Sequence, residues 1–194
     1  MIINFDKILN AISKPIHEPF THYIVDDVLN SLDINNPNSW HQMIGELTAY
    51  KDIITDTYKP YRLFKDIYSG KDLKKIHTDT WARIRLITNE PNIKSEVHMD
   101  EVSKVWTCIV YCSPEKSDGT VLYKGETKNA LCDKKIIEWK PNRGLIFSPG
   151  GKGSPTWHRV INMHYKLRKV VAINIVKSNP KLKFNPWYKN LQLI

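Results

Sequence analysis

The texture of the chain changes near residue 80, and that change limits the fold more than any other feature. Before it, FDKILNAIS, IVDDVLNSL and SWHQMIGELTAYKDII space their apolar residues by three and four, the period of an amphipathic helix. After it come short β-branched or aromatic segments. These are Ala82 to Thr88, Val105 to Cys112, Gly119 to Tyr123, Lys135 to Trp139, Gly144 to Ser148, Thr156 to Ile161 and Lys169 to Val176. NEPN, SPEKSDG, KPNRG and SPGGKGSP separate them, rich in the Pro, Gly and Asn that interrupt strands. No regular strand and helix alternation follows residue 80, so antiparallel strands in a sandwich or barrel are expected. The expected fold is mainly β with N-terminal helices, a jelly roll behind helical support. A chain of 194 residues, 41% of them apolar, suits one domain. Its expected parts are 1–80 as mostly helical support, 81–178 as the β core and 179–194 as a C-terminal tail.

The three cysteines are an odd number, and Cys108 and Cys112 lie four apart in an apolar stretch. Neither a disulfide framework nor a zinc site is expected, and a reducing cytoplasm fits. No run of about 18 apolar residues occurs. MIINFDKILNAISK carries Asp6 where a signal peptide needs an unbroken apolar stretch. A cytoplasmic protein with no membrane partner is therefore expected. The net charge of +9 raises nucleic acid as a partner. The lysines, however, are spread through DLKKIH, CDKKII, KLRK and KLKF, the pattern of a solvated surface.

Two ligands one residue apart on an extended segment project to the same side, and His98 and Asp100 in SEVHMDE have that spacing. An imidazole and a carboxylate, completed by a second imidazole, fill one face of an iron(II) octahedron and leave positions open for chemistry. His77 and Asp79 in KIHTDTW form a second HxD, but they follow the polar YSGKDLKK and are read as a loop. His158, between a Gly and Pro loop and an apolar strand, is the expected third ligand; His164, in the turn NMHYK, is the competitor. His17, His22 and His41 lie in the helical half and receive no ligand role.

Arg168 stands ten positions after His158, across a reversal of the chain and at the start of KVVAINIV. A guanidinium grips a carboxylate through two parallel hydrogen bonds, so an arginine returning towards a metal marks an anionic co-substrate. Arg83 and Arg85 in WARIRLIT share one face of a strand; that face is read as solvent-exposed, with a face on the substrate channel as the alternative. Trp106, Phe147 and Trp157 are read as core packing, and Trp187 and Tyr188 as packing of the C-terminus.

With HxD, a distal His and an Arg ten residues on, the chain resembles the 2-oxoglutarate and iron(II) dependent dioxygenases, most of all the prolyl 4-hydroxylase-like group. EPFTHYIVDDVLN resembles the opening of such proteins, a short strand leading into a helix. HMD, WTCIVYCS, GTVLY, GLIFSP, WHRV and LRKVVAINIV follow in the family's order. The resemblance implies a double-stranded β-helix, with iron(II), 2-oxoglutarate and O2 as cofactors and co-substrates and ascorbate as an accessory reductant. It implies His98, Asp100 and His158 as metal ligands and Arg168 on the far carboxylate, with Tyr111 donating to the same carboxylate and Thr107 lining the pocket. It also implies a peptide or protein substrate, most simply hydroxylated at proline. Nucleic-acid demethylases of the superfamily carry a second arginine six residues after the first; Asn174 stands there, which disfavours nucleic acid. Halogenases lack the metal carboxylate, which Asp100 supplies. An oxygenase of a small molecule or nucleobase, and a non-catalytic jelly-roll binding protein, are the other readings.

Overall fold

The computed structural model describes residues 1–31, 33, 36–57, 80–101, 104–148 and 155–177. His77, Asp79, Trp187 and Tyr188 lie outside the described residues. Helix α1 (Phe5–Ile12) begins where the Asn4 side chain accepts a hydrogen bond from the Lys7 amide at 3.2 Å. That satisfies one of the donors a first turn leaves free. Phe5, Ile8 and Ile12 then form one buried stripe. Helix α2 (Pro37–Thr57) buries Met43, Leu47 and Ile54. The Phe5 and Tyr50 rings stack at 4.0 Å and fasten the helices together.

In chain order the strands are β1 (His22–Val25), β2 (Thr80–Asn89), β3 (Ile93–Lys94), β4 (Lys104–Ser113), β5 (Thr120–Lys124), β6 (Cys132–Ile137), β7 (Gly144–Phe147), β8 (Trp157–Asn162) and β9 (Arg168–Lys177). They form two antiparallel sheets, ordered β1-β7-β4-β9-β2 and β3-β8-β5-β6. All seven strands expected from the sequence are present, as β2 and β4 to β9. The expected segment Lys135 to Trp139 ends earlier, because the Trp139 indole N–H turns to donate to the Pro114 carbonyl at 2.9 Å.

Side chains of paired residues share a face, which gives each face of the larger sheet a separate duty. Cys108, Val110, Ile146, Val171, Ile173 and Ile175 join the core built with α1 and α2. Tyr111, Leu145, Phe147 and Val170 face the other way and meet Leu122 and Ile137 of the smaller sheet. Helices therefore support one side of the large sheet, and the smaller sheet packs on the other. The three cysteines are free, Cys108 and Cys112 buried and Cys132 exposed.

The helix expected over IVDDVLNSL is not formed. Ile24 and Val25 are in β1, paired with Leu145 and Gly144. The chain then turns at Asp27, in the left-handed region with φ 58. Val28 and Leu29 are buried as the chain returns beside Ile3. Asn142 imitates a peptide group there, accepting from the Leu29 amide and donating to the Leu29 carbonyl, each at 2.8 Å. The helical spacing of Val25, Val28 and Leu29 thus arises from a strand end and a bridge that face one core.

Candidate functional site

The backbones of His98 and His158 exchange two hydrogen bonds, 3.0 Å from the His98 amide and 2.9 Å from the His158 amide. This isolated bridge sets the two imidazoles side by side with centroids 4.5 Å apart. Asp100, two residues on, projects to the same side. One donor atom from each of His98, Asp100 and His158 lies within 4.8 Å of the others.

The protonation of the three groups suits a cation. Nδ1 of His98 lies 3.0 Å from the Glu96 carbonyl and Nδ1 of His158 lies 2.9 Å from the Thr156 carbonyl. A carbonyl only accepts, so Nδ1 of each ring donates and Nε2 is the atom turned towards the cluster. Burial lowers His158 to about 4, leaving it neutral at pH 7. Burial pushes the Asp100 carboxyl up, but the Lys104 ammonium beside it outweighs that and holds it below its usual value. Two imidazoles and a carboxylate on one side fit a divalent first-row metal that keeps positions open.

Arg168 occupies the other end of the pocket and is fully buried. One Nη donates to Asn89 Oδ1 at 2.9 Å, and the other approaches Thr120 Oγ1 at 3.5 Å. The Tyr111 hydroxyl donates to the same Thr120 oxygen at 2.9 Å. Trp139 and Tyr111 stack on each other at 4.6 Å, and the guanidinium lies 5.1 and 5.4 Å from their rings. Its Nε has no hydrogen-bond partner, and among the described residues no carboxylate forms a salt bridge with it; Asp118 acts on it only through space. A guanidinium does not deprotonate in a protein, and a buried charge with no carboxylate in contact costs several kcal/mol, so its surroundings suit an anion.

Thr107 is at the metal end, with its hydroxyl 3.3 Å from Asp100 and 3.0 Å from Asn174. Tyr111 is at the Arg168 end of the same strand face. Thr120, which Tyr111 and Arg168 share, is two residues along β5 from Leu122, the cross-strand partner of His158. That step is roughly 7 Å. The Phe147 ring meets the His158 imidazole edge-on at 4.9 Å and closes one wall. Trp106 is in the helix-side core, as expected of a packing residue.

The remaining candidates fall elsewhere. His164 lies tilted against Tyr165 in its turn, with ring centroids 5.3 Å apart, and His17 and His41 are exposed. His22 is buried beside Phe20, outside the triad. Arg83 and Arg85 correct the expectation of a solvent-exposed face. Their partners across β9 are Asn174 and Ala172, so both are on the inner face and half-buried. Lys104, Thr120, Asn89 and Trp139 were not foreseen. The four-residue step from Asp100 to Lys104 was the only available signal, and it means little outside a helix.

No protein-family model matches the chain, and no curated protein matches it. Among solved structures, it is similar to a prolyl 4-hydroxylase from Phytophthora capsici, with 12% identity over 92% of this chain and 67% of that one, TM-score 0.48. It is similar to a Pseudomonas putida prolyl-4-hydroxylase, with 9% identity over 90% and 84%, TM-score 0.45. The dioxygenase for auxin oxidation 1 of Arabidopsis thaliana, a complex with 2-oxoglutarate, shows 14% identity over 82% and 64%, TM-score 0.48. No described helix is long and apolar enough to cross a membrane.

Proposed function

We propose that the chain is an iron(II) and 2-oxoglutarate dependent dioxygenase acting as a hydroxylase, with the two facing sheets forming a double-stranded β-helix. The observation that carries this reading is Arg168, a buried cation without a described carboxylate partner, in the same pocket as a two-histidine, one-carboxylate set. In this reading Nε2 of His98, Nε2 of His158 and a carboxylate oxygen of Asp100 hold the iron. Arg168 and the Tyr111 hydroxyl bind the far carboxylate of 2-oxoglutarate. Iron, 2-oxoglutarate and O2 supply the oxidising chemistry, turning a C–H bond into C–OH while 2-oxoglutarate becomes succinate and carbon dioxide.

The protein's share is placement and exclusion of water. Thr107 and Lys104 orient Asp100, Phe147 holds the His158 ring, and the apolar cluster of Leu122, Leu145, Phe147 and Val170 excludes water from the Arg168 end. Peptidyl proline is the first substrate class proposed, on the order of motifs shared with the prolyl 4-hydroxylase-like group. The test is succinate release from 2-oxoglutarate with iron(II), in air and under nitrogen, with and without proline-rich peptides. Oxygen-dependent succinate that requires iron and is abolished in His158→Ala supports the oxygenase. Hydroxylated peptide supports proline as its target. Absence of both iron binding and 2-oxoglutarate binding in the wild type would overturn the oxygenase reading.

A further inference from the structure

We propose that Asn89 is a positioning residue that sets the charge of the anion pocket: it holds the Arg168 guanidinium through a neutral amide where a carboxylate would fit, and so leaves that charge to an anionic ligand. This deepens the oxygenase reading and rests on it, since the anion assigned to Arg168 there is 2-oxoglutarate.

Asn89 is the last residue of β2 and lies directly opposite Arg168, the first residue of β9. Opposed residues of an antiparallel pair place their side chains on one face, about 5 Å apart at Cβ. Asn89 Oδ1 accepts from one Arg168 Nη at 2.9 Å. The strand end is itself pinned. The fully buried Asn162 amide reaches the carbonyls of Asn89, Glu90 and Lys166 at 3.2, 2.9 and 3.0 Å, tying the end of β2 to the turn that leads into Arg168. Backbone on both sides of the pair is thereby fixed, and the Asn89 side chain aims the guanidinium from a rigid base.

The other groups described around Arg168 are neutral or engaged elsewhere. Its second Nη approaches Thr120 Oγ1 at 3.5 Å, its ring neighbours are Trp139 and Tyr111, and its Nε is enclosed without a partner. Burial raises the Tyr111 hydroxyl and pushes the Cys112 thiol to about 11, so both stay protonated at pH 7. Asp118 acts on Arg168 through space, while its Oδ2 accepts from the Met163 amide at 2.6 Å. Glu90, the residue after Asn89, is exposed.

Asparagine and aspartate have nearly the same shape, so a carboxylate at 89 would meet the same Nη and complete an ion pair inside the pocket. That pair would relieve the burial of a lone cation and, at the same time, take the charge that an incoming carboxylate needs. The amide supplies the hydrogen bond without the charge. Recognition of an acidic co-substrate then depends on the neutrality of residue 89 as well as on Arg168.

The wild type, Asn89→Asp and Asn89→Ala are compared by thermal melting without ligand and by calorimetric titration of 2-oxoglutarate in the presence of manganese(II). Asn89→Asp should melt about 4 °C or more above the wild type, as a paired ion replaces a lone one. It should bind 2-oxoglutarate about 100-fold or more weaker, since a fixed carboxylate now competes for the guanidinium. Asn89→Ala, which loses the acceptor and adds no charge, should melt below the wild type and bind less than about tenfold weaker. Stability and binding thus rank the three proteins in opposed orders, whereas a residue that only finished the strand would move both together. Wild-type affinity for 2-oxoglutarate in Asn89→Asp, or a melting temperature that does not rise in it, would overturn the proposal. Failure of the wild type to bind 2-oxoglutarate sinks the co-substrate reading instead, and the melting temperatures of the two variants still report whether Arg168 gains from a carboxylate at 89.

Discussion

Replacing Arg168 with methionine should separate the fold from the proposed co-substrate site, because the two respond with different signs. The side chain is fully buried and makes one hydrogen bond of 2.9 Å and one long contact of 3.5 Å. Losing the shorter bond costs about 1.5–3 kcal/mol. Loss of the stacked arrangement with Trp139 and Tyr111 adds about 1–2 kcal/mol. Against this, the variant no longer buries a guanidinium without a counter-ion, a penalty of several kcal/mol. The ligand-free protein should therefore keep its stability to within about 2 kcal/mol, by the difference of those terms. Binding of 2-oxoglutarate has no such compensation, since the far carboxylate would be buried unpaired. A loss of about 3–5 kcal/mol corresponds to an affinity roughly 150-fold to several thousand-fold weaker. Thermal melts with and without 2-oxoglutarate read both effects at once. At about 100 times the wild-type Kd the ligand adds ~2.7 kcal/mol to the wild type, and should add almost nothing to Arg168→Met. A collapse of the ligand-free melting temperature with the 2-oxoglutarate shift intact would refute the reasoning and make Arg168 a structural residue.

Thr107→Val removes the hydroxyl 3.3 Å from Asp100 and should weaken metal binding about 10-fold, measured by competition with a chelator. Gly144→Ala would bring a Cβ to 2.6 Å from Val28 and 3.0 Å from both Cys108 and Val25, and should cost about 1–3 kcal/mol in urea denaturation. Arg143, then Lys140, holds the Asp26 carboxyl at about 2, below its ordinary 3.8. A depressed carboxyl stabilises above its unfolded value, so this contribution is present above pH 3.8 and lost as pH falls through about 2. With Asp26 34% exposed, screening leaves ~1 kcal/mol. Acid titration of Arg143→Gln should show that slope diminished, and an unchanged slope would remove the pair from the account.

The sequence carried the strands well because burial on both faces leaves apolar, β-branched runs, as in Val170 to Ile175, that turns then interrupt. It carried the His98 and Asp100 pair because side-chain alternation in an extended segment is local. Residues brought in by sheet register were harder to see. Thr120 joins Arg168 only through the meeting of the two sheets, and no spacing in the chain encodes that. Asn174 drew notice for the arginine it replaces, whereas its contact is with Thr107 across β4 and β9. Arg83 and Arg85 show the limit of alternation alone. It establishes that two residues share a face, and only the partner strand decides whether that face meets water or the pocket.

Strand β4 also acts as a ruler. Thr107 and Tyr111 mark its two ends, and between them the ladder to β9 is regular, while register shifts fall just outside, at Lys104/Trp106 and Tyr111/Ser113. With β7 also paired to Thr107 through Val110, this span cannot stretch or slip without breaking hydrogen bonds on both sides. In the proposed site, the distance between the metal end at Thr107 and the Arg168 end at Tyr111 is thereby set by backbone pitch. A diacid one methylene too short or too long must leave one end unmet, so length selection among related dicarboxylates would be built into the sheet, beyond the reach of any single side chain.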